Sequence, residues 1–204
     1  MMVVVVAIGA HPDDVEGSCF GTLAKYRKAG NDIVIVLLTK GGKGGDKVER
    51  EREAREAASI IGAKLIVGDF EDGKIGDDYE VVSWIEDQIN GVRADILFVP
   101  CTNDRHQDHR NVGRAAIAAS RNMNYILMYE TSSTSEFNAQ MFVDISDTLE
   151  DKILALSKHE SEQKTEYLAG EAVTNLAKYR AYQLRQYGKV VEAFQVVKWS
   201  LDIG

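Results

Sequence analysis

Short apolar runs that alternate with stretches of helical periodicity constrain this chain more than any other feature. Residues 3–9 are a continuous, mostly β-branched run, and apolar runs return at 32–39, 64–67, 95–100 and 125–129. Between them, Val15, Cys19, Leu23 and Tyr26 mark a helix over 15–29 that Gly30 closes; further helices are predicted over 47–61, 80–89 and 111–120. A strand that is apolar on both faces is covered on both faces, as in a parallel sheet. Strict alternation of strand and helix through residue 129 is the pattern of a doubly wound sheet. The expected fold is therefore α/β, Rossmann-like, with a mainly parallel sheet and helices on both faces. Beyond it the pattern predicts a strand at 141–145, helices near 148–157 and 173–187, and a last strand at 193–199. With no internal repeat and no linker, residues 1–204 read as a single domain.

Composition narrows the function classes. The 204 residues carry a net charge of −8, and neither nucleic acid nor an anionic membrane is expected as a partner, because both need a basic footprint. Cys19 and Cys101 are too few for a disulfide scaffold or a thiolate zinc site, and both are expected to be reduced. The apolar start lacks a basic leader and is far shorter than the roughly 20 residues of a membrane span. It reads as a strand, and a cytoplasmic location is the expectation.

In a doubly wound sheet, ligands bind beyond the carboxyl ends of the strands, where the strand order reverses. Two polar clusters fall at such ends. His11-Pro12-Asp13-Asp14 follows the first run, and Asp104-Arg105-His106-Gln107-Asp108-His109 follows the fourth. Together they hold three of the four histidines. Hydrolytic zinc typically takes three imidazole or carboxylate ligands and keeps one position open. His11 and Asp14 sit three apart across a proline turn and can face one ion; His109 or His106 would complete the set. Asp13 is then left over as a base toward the attacking water. The competing reading makes Asp14 a helix cap.

The two clusters together resemble the LmbE/PIG-L family of zinc-dependent N-deacetylases, with the bacillithiol-type bacterial branch most similar because Val15 separates Asp14 from Glu16. Arg52 with Glu56, Ala57 and Gly62 resembles the family's Arg/Glu/Ala helix. Lys152, Ala155, His159, Ser161 and Gln163 resemble a pattern near its C-terminus, and Glu192-Ala193-Phe194 its closing triplet. The resemblance implies His11, Asp14 and His109 as zinc ligands and Asp13 as general base. It makes His106 the group facing the oxyanion, with Asp108 orienting it by a hydrogen bond. Arg52 would contact the substrate, and Arg105 and Glu130 are further substrate-binding candidates. It implies removal of an N-acyl group from an N-acylated amino sugar or glycoconjugate, and association into homo-oligomers, trimers or hexamers. The ligand set also suits Fe²⁺, but hydrolysis needs a Lewis acid and no redox change, which favours Zn²⁺. The alternatives are an amidase for a different small polar amide and a same-fold binding protein without catalysis.

Other motifs carry less. The Gly41–Gly45 stretch lacks the phosphate-loop pattern, since Asp46 follows where a hydroxyl residue is required, and reads as a loop over the site mouth. The charged run 49–56 reads as a solvated helix face, and His159 as a capping or packing residue.

Overall fold

The computed structural model describes residues 2–162 and 170–200. Its seven-stranded sheet has the order β3-β2-β1-β4-β5-β7-β6. β1 (Val4–Gly9), β2 (Asp32–Leu37), β3 (Lys64–Val67), β4 (Ile96–Pro100) and β5 (Tyr125–Tyr129) are parallel. β7 (Val191–Trp199) runs antiparallel to β5 and to β6 (Met141–Asp144). The expected α/β sheet is thus observed, with an antiparallel pair added at one edge.

Period-two alternation along the strands divides the interior into two layers. Val5 and Ala7 of β1 face one cluster, where Val15, Phe20 and Leu23 pack with Ala54, Ala57 and Ala155. That layer is built by α1 (Asp14–Ser18), α2 (Phe20–Lys28), α3 (Lys47–Ser59) and α6 (Leu149–Leu156). Val6 and Ile8 face the other, with Ile85 and Ile89 of α4 (Tyr79–Val92) and Val112 and Ala116 of α5 (Gln107–Ala119). The chain therefore leaves β1 toward one face and β4 toward the other. Because β1 and β4 are neighbours, their exits diverge and open a crevice between them. A last helix, α7 (Gly170–Gln183), packs on the antiparallel edge.

Two boundaries differ from the sequence expectation in ways that matter. The single helix predicted over 15–29 is two helices that meet at Cys19. At the start of α2, the amides of Gly21 and Thr22 donate to the two carboxylate oxygens of Glu192, far along the chain in β7. The second difference is α5, which begins at Gln107 and so takes Asp108 and His109 into its first turn. Its N-cap is His106, whose Nδ1 accepts from the Asp108 amide at 3.3 Å. Both cysteines are free and buried. Among the described residues no helix is long and apolar enough to cross a membrane.

Candidate active site

At the end of β1 the chain turns sharply, and Asp13 takes φ 93°, a left-handed conformation that costs a non-glycine residue of order 1–3 kcal/mol. Arg50 of α3 holds it there. The guanidinium Nη2 donates to the Pro12 carbonyl at 3.0 Å and to Asp13 Oδ2 at 3.1 Å, while Nη1 donates to the Gly41 carbonyl and to Glu162. Asp14 points its carboxylate back under the turn. Its Oδ2 accepts from the amides of Ala10 and His11 at 2.8 and 2.9 Å, which leaves Oδ1 facing the crevice.

The loop after β4 and the first turn of α5 bring the second cluster over the first. His109 Nε2 lies 3.0 Å from Asp14 Oδ1. The rings of His11 and His109 are 5.4 Å apart between centroids, and those of His106 and His109 are stacked at 4.4 Å. The nitrogens of His11, His106 and His109 approach one another within 4.8 Å, as do ligand atoms of His11, Asp72 and Asp108, so either trio could share an ion. Asp14 is the stronger partner of His11 and His109 than His106 is. Its free oxygen lies against His109 Nε2, its other oxygen is 3.6 Å from His11 Nδ1, and His106 already spends Nδ1 on capping α5.

The electrostatics are those of a cation site. Burial opposes charge on His11, but Asp108, Asp14 and Asp72 outweigh it and lift the imidazole to about 12. His109 rises to about 10, against its burial, through Asp14 and Asp104. The carboxylates that favour a proton on these imidazoles are equally suited to a metal cation, for which the proton would compete. One oxygen of Asp108, fully buried, has no hydrogen-bond partner among the described residues, which fits a donor set built around a cation. Asp13 is pushed up to about 7 by burial and then by the charge of Asp14, with His159 and Arg50 pulling the other way. His106 is held below its ordinary value by burial and by the charges of His109 and His11.

A cavity of about 860 Å³ opens over this floor. Arg105 and Glu130 both line it, with Lys43 and Gly44 on one side and Val173 and Leu176 of α7 on another. Glu130 is already bound by Arg180, whose Nε donates to Oε1 at 2.7 Å and whose Nη2 donates to Oε2.

The structure departs from the sequence expectation at two residues and adds two. Arg52 does not reach the cavity: its side chain is 53% exposed and pairs with Glu56 on the solvent side of α3. Two helix positions separate it from Arg50 by about 200°, so only one of them can face inward. Ala54 and Ala57 mark the buried stripe, and Arg50 lies on it, one turn before Ala54 and two before Ala57. Asp108 does not orient His106 through its carboxylate. Oδ2 instead accepts from the Gly73 amide at 2.6 Å and meets His11 Nε2 at 3.1 Å, because the second residue of α5 points toward the loop after β3. Only the backbone amide of Asp108 meets His106. The addition from that loop is Asp72, whose Oδ1 lies 3.2 Å from His11 Nε2 and whose Oδ2 accepts from the Lys43 amide at 2.7 Å. No sequence pattern marks it; the turn ending at Gly73 is its one local sign. His159, buried at the end of α6, faces Glu16 at 3.6 Å.

Residues 6–120 match the family model described as PIG-L: GlcNAc-PI de-N-acetylase. The chain is 35% identical over 167 residues to the Escherichia coli K12 protein named uncharacterized deacetylase YaiS, covering 77% of this chain and 90% of that one. It is 31% identical over 185 residues to the diacetylchitobiose deacetylase of Thermococcus kodakarensis, covering 78% of this chain and 69% of that one. Among solved structures, the conserved protein TT1542 from Thermus thermophilus superposes with a TM-score of 0.86 at 26% identity, over 100% of this chain and 98% of that one. The family match over more than half the chain, and the deacetylases that share its sequence, place this protein in the PIG-L family, among the enzymes that hydrolyse amide C–N bonds.

Proposed function

We propose that the chain acts as one LmbE-like domain and is a zinc-dependent hydrolase that removes an N-acetyl group from an amino sugar such as an N-acetylglucosaminyl compound. The observation that carries this reading is the meeting of two loops from the ends of β1 and β4. Asp14 Oδ1 and His109 Nε2 stand 3.0 Å apart, with His11 alongside and the carboxylate of Asp13 one residue away. His11, Asp14 and His109 would hold the ion. When bound, zinc supplies a Lewis acid that polarises the amide carbonyl and brings the pKa of water from 15.7 toward about 7. Asp13 takes the proton of the attacking water, and Arg50 keeps its carboxylate aimed at the site. The His106 ring accepts at Nδ1, so its neutral form carries the proton on Nε2 and can donate to the oxygen on which charge develops. Asp13 then returns a proton to the departing amine. The cavity takes a sugar, with Arg105 and Glu130 at its wall as the groups that meet hydroxyls. The sugar class is supported by a relative whose name is diacetylchitobiose deacetylase.

The test is metal analysis of the purified protein together with acetate release from a panel of N-acetylglucosamine derivatives. Wild type should bind about one zinc and release acetate. Asp13→Ala should retain metal and lose a factor on the order of 10²–10⁴ in kcat. A metal-loaded wild type that cleaves no member of the panel would favour the binding-protein alternative, and an Asp13→Ala enzyme at wild-type rate would remove Asp13 from the mechanism.

A further inference from the structure

Asp104 is absent from every role assigned so far, yet it is among the most completely engaged carboxylates of the protein. Its side chain has no exposure to solvent. Oδ1 accepts from the Ser133 hydroxyl at 2.5 Å and the His106 amide at 2.8 Å, and Oδ2 accepts from the hydroxyls of Thr131 at 2.5 Å and Thr134 at 3.0 Å. Oδ2 also lies 3.5 Å from His109 Nδ1, the ring nitrogen that faces away from Asp14. Two of the same hydroxyls approach that nitrogen, Ser133 Oγ at 3.3 Å and Thr131 Oγ1 at 3.4 Å. The segment bearing them is tied to Asp104 by an isolated antiparallel bridge between Asp104 and Thr134, and by the Arg105 amide, which donates to the Ser133 carbonyl.

The direction of these bonds is fixed by chemistry. An ionised carboxylate only accepts, and each hydroxyl owns one proton. Ser133 and Thr131 must therefore give their protons to Asp104, and they turn lone pairs toward His109 Nδ1. That nitrogen then faces three acceptors and, among the described residues, no donor. The neutral ring can satisfy them only with its proton on Nδ1, which leaves the Nε2 lone pair directed at Asp14 Oδ1, where the ion would sit.

We infer that Asp104, acting through the hydroxyls of Thr131 and Ser133, is the positioning residue that fixes His109 in the Nδ1–H form and so presents Nε2 to the metal. The inference rests on the metal reading proposed above. Carboxylates behind metal-binding imidazoles do this work in many sites, and their loss costs about 10–100-fold in metal affinity. His11 is served differently, by Asp108 and Asp72 at its Nε2.

The experiment uses the full chain with ¹⁵N-labelled histidine and zinc alone as the probe. In zinc-loaded wild type, the His109 shifts should show a protonated Nδ1 and a metal-bound Nε2; the reverse assignment overturns the inference. Zinc affinity, measured by competition with a chromophoric chelator, should fall about 10–100-fold in Asp104→Asn. It should fall by a smaller factor in Ser133→Ala, which removes one oriented hydroxyl and spares the carboxylate. Unchanged affinity in both variants overturns the inference while leaving the zinc reading intact, whereas a wild type that takes up no zinc overturns both. Should Asp104→Asn fail to fold, the wild-type shifts and Ser133→Ala decide the question, since a merely structural role would move neither.

Discussion

Arg50 shows how one side chain can hold both the shape and the charge of a site. It bridges the Pro12 carbonyl and the strained Asp13 on one side to the Gly41 carbonyl and Glu162 on the other. Arg50→Ala would take the guanidinium donor from the buried Asp13 carboxylate and from the Pro12 carbonyl, while the Gly41 carbonyl would keep the Gly44 amide. Removing one partner of a buried ion pair costs about 3–5 kcal/mol, and an Asp13 freed by even 1 Å would cost on the order of 10² in turnover. Arg52→Ala, two residues on, should leave the urea-unfolding midpoint and the turnover unchanged, because among the described residues that side chain pairs with Glu56 and is half exposed to solvent. Equal effects of the two variants would refute this division of roles. The contrast also marks how far the sequence could be read. The meeting of His11, Asp13, Asp14 and His109 was legible because imidazoles and carboxylates cluster at two strand ends that a doubly wound sheet brings together. Arg50 and Arg52 sit in one charged run, and only the alanine stripe, read as a helix face, separates them. Asp72 was not legible at all, since its role comes from the meeting of the β3 loop with His11, a contact that no local pattern encodes.

Elements set where those residues can be. α5 lies so close to β4 that a Cβ on Gly113 would stand 2.4 Å from the Pro100 carbonyl oxygen, a backbone atom that cannot swing aside. Gly113→Ala should lift the helix, destabilise the fold by about 1–3 kcal/mol, and weaken zinc binding at a distance, because His106 caps that helix and His109 lies in its first turn. A variant with wild-type zinc affinity would show that the helix and its first turn are not rigidly coupled. The contact between α1 and α6 makes a pH-dependent prediction. Burial disfavours a charged His159, but Glu16, Asp13 and Glu53 outweigh it, so its pKa is raised in the folded state. A raised imidazole pKa contributes stability that is complete below the unfolded value of about 6.5 and fades as pH climbs through the folded one. The stability difference between metal-free wild type and His159→Gln should therefore shrink as pH rises above about 6.5; a constant difference would mean that Glu16 does not hold the proton there. Strands and most helices were legible because hydrophobic period is local. The break at Cys19 was not, since the carboxylate that caps α2 belongs to Glu192, which Lys152 holds in place at 2.6 Å. The family-like Lys152 and Glu192 thus serve one buried contact that joins α6 and β7 to α2.

For the molecule as a whole, the sheet order places the carboxylates of three loops around one point. Asp13 and Asp14 leave β1, Asp72 follows β3, and Asp104 and Asp108 follow β4, all in a chain of net charge −8. That concentration of charge is tolerated because His11, His109 and Arg50 face it. A divalent ion would relieve the repulsion further, and it would bind the folded chain alone, since the candidate ligands are brought together only by folding. Under the zinc reading proposed above, zinc at 1,000 times its dissociation constant would stabilise by about 4.1 kcal/mol. For a chain of this length each kcal/mol moves the melting temperature by about 2–4 °C, so the loaded protein should melt roughly 8–16 °C above the chelator-treated one. Both cores close on the same central sheet, one on each face of β1, so the chain should melt in one transition and that transition should move as a whole. Calorimetry with and without chelator reads both quantities. A melting temperature indifferent to zinc would separate the imidazole cluster from metal binding, and a second transition that ignores zinc would divide the chain into two domains.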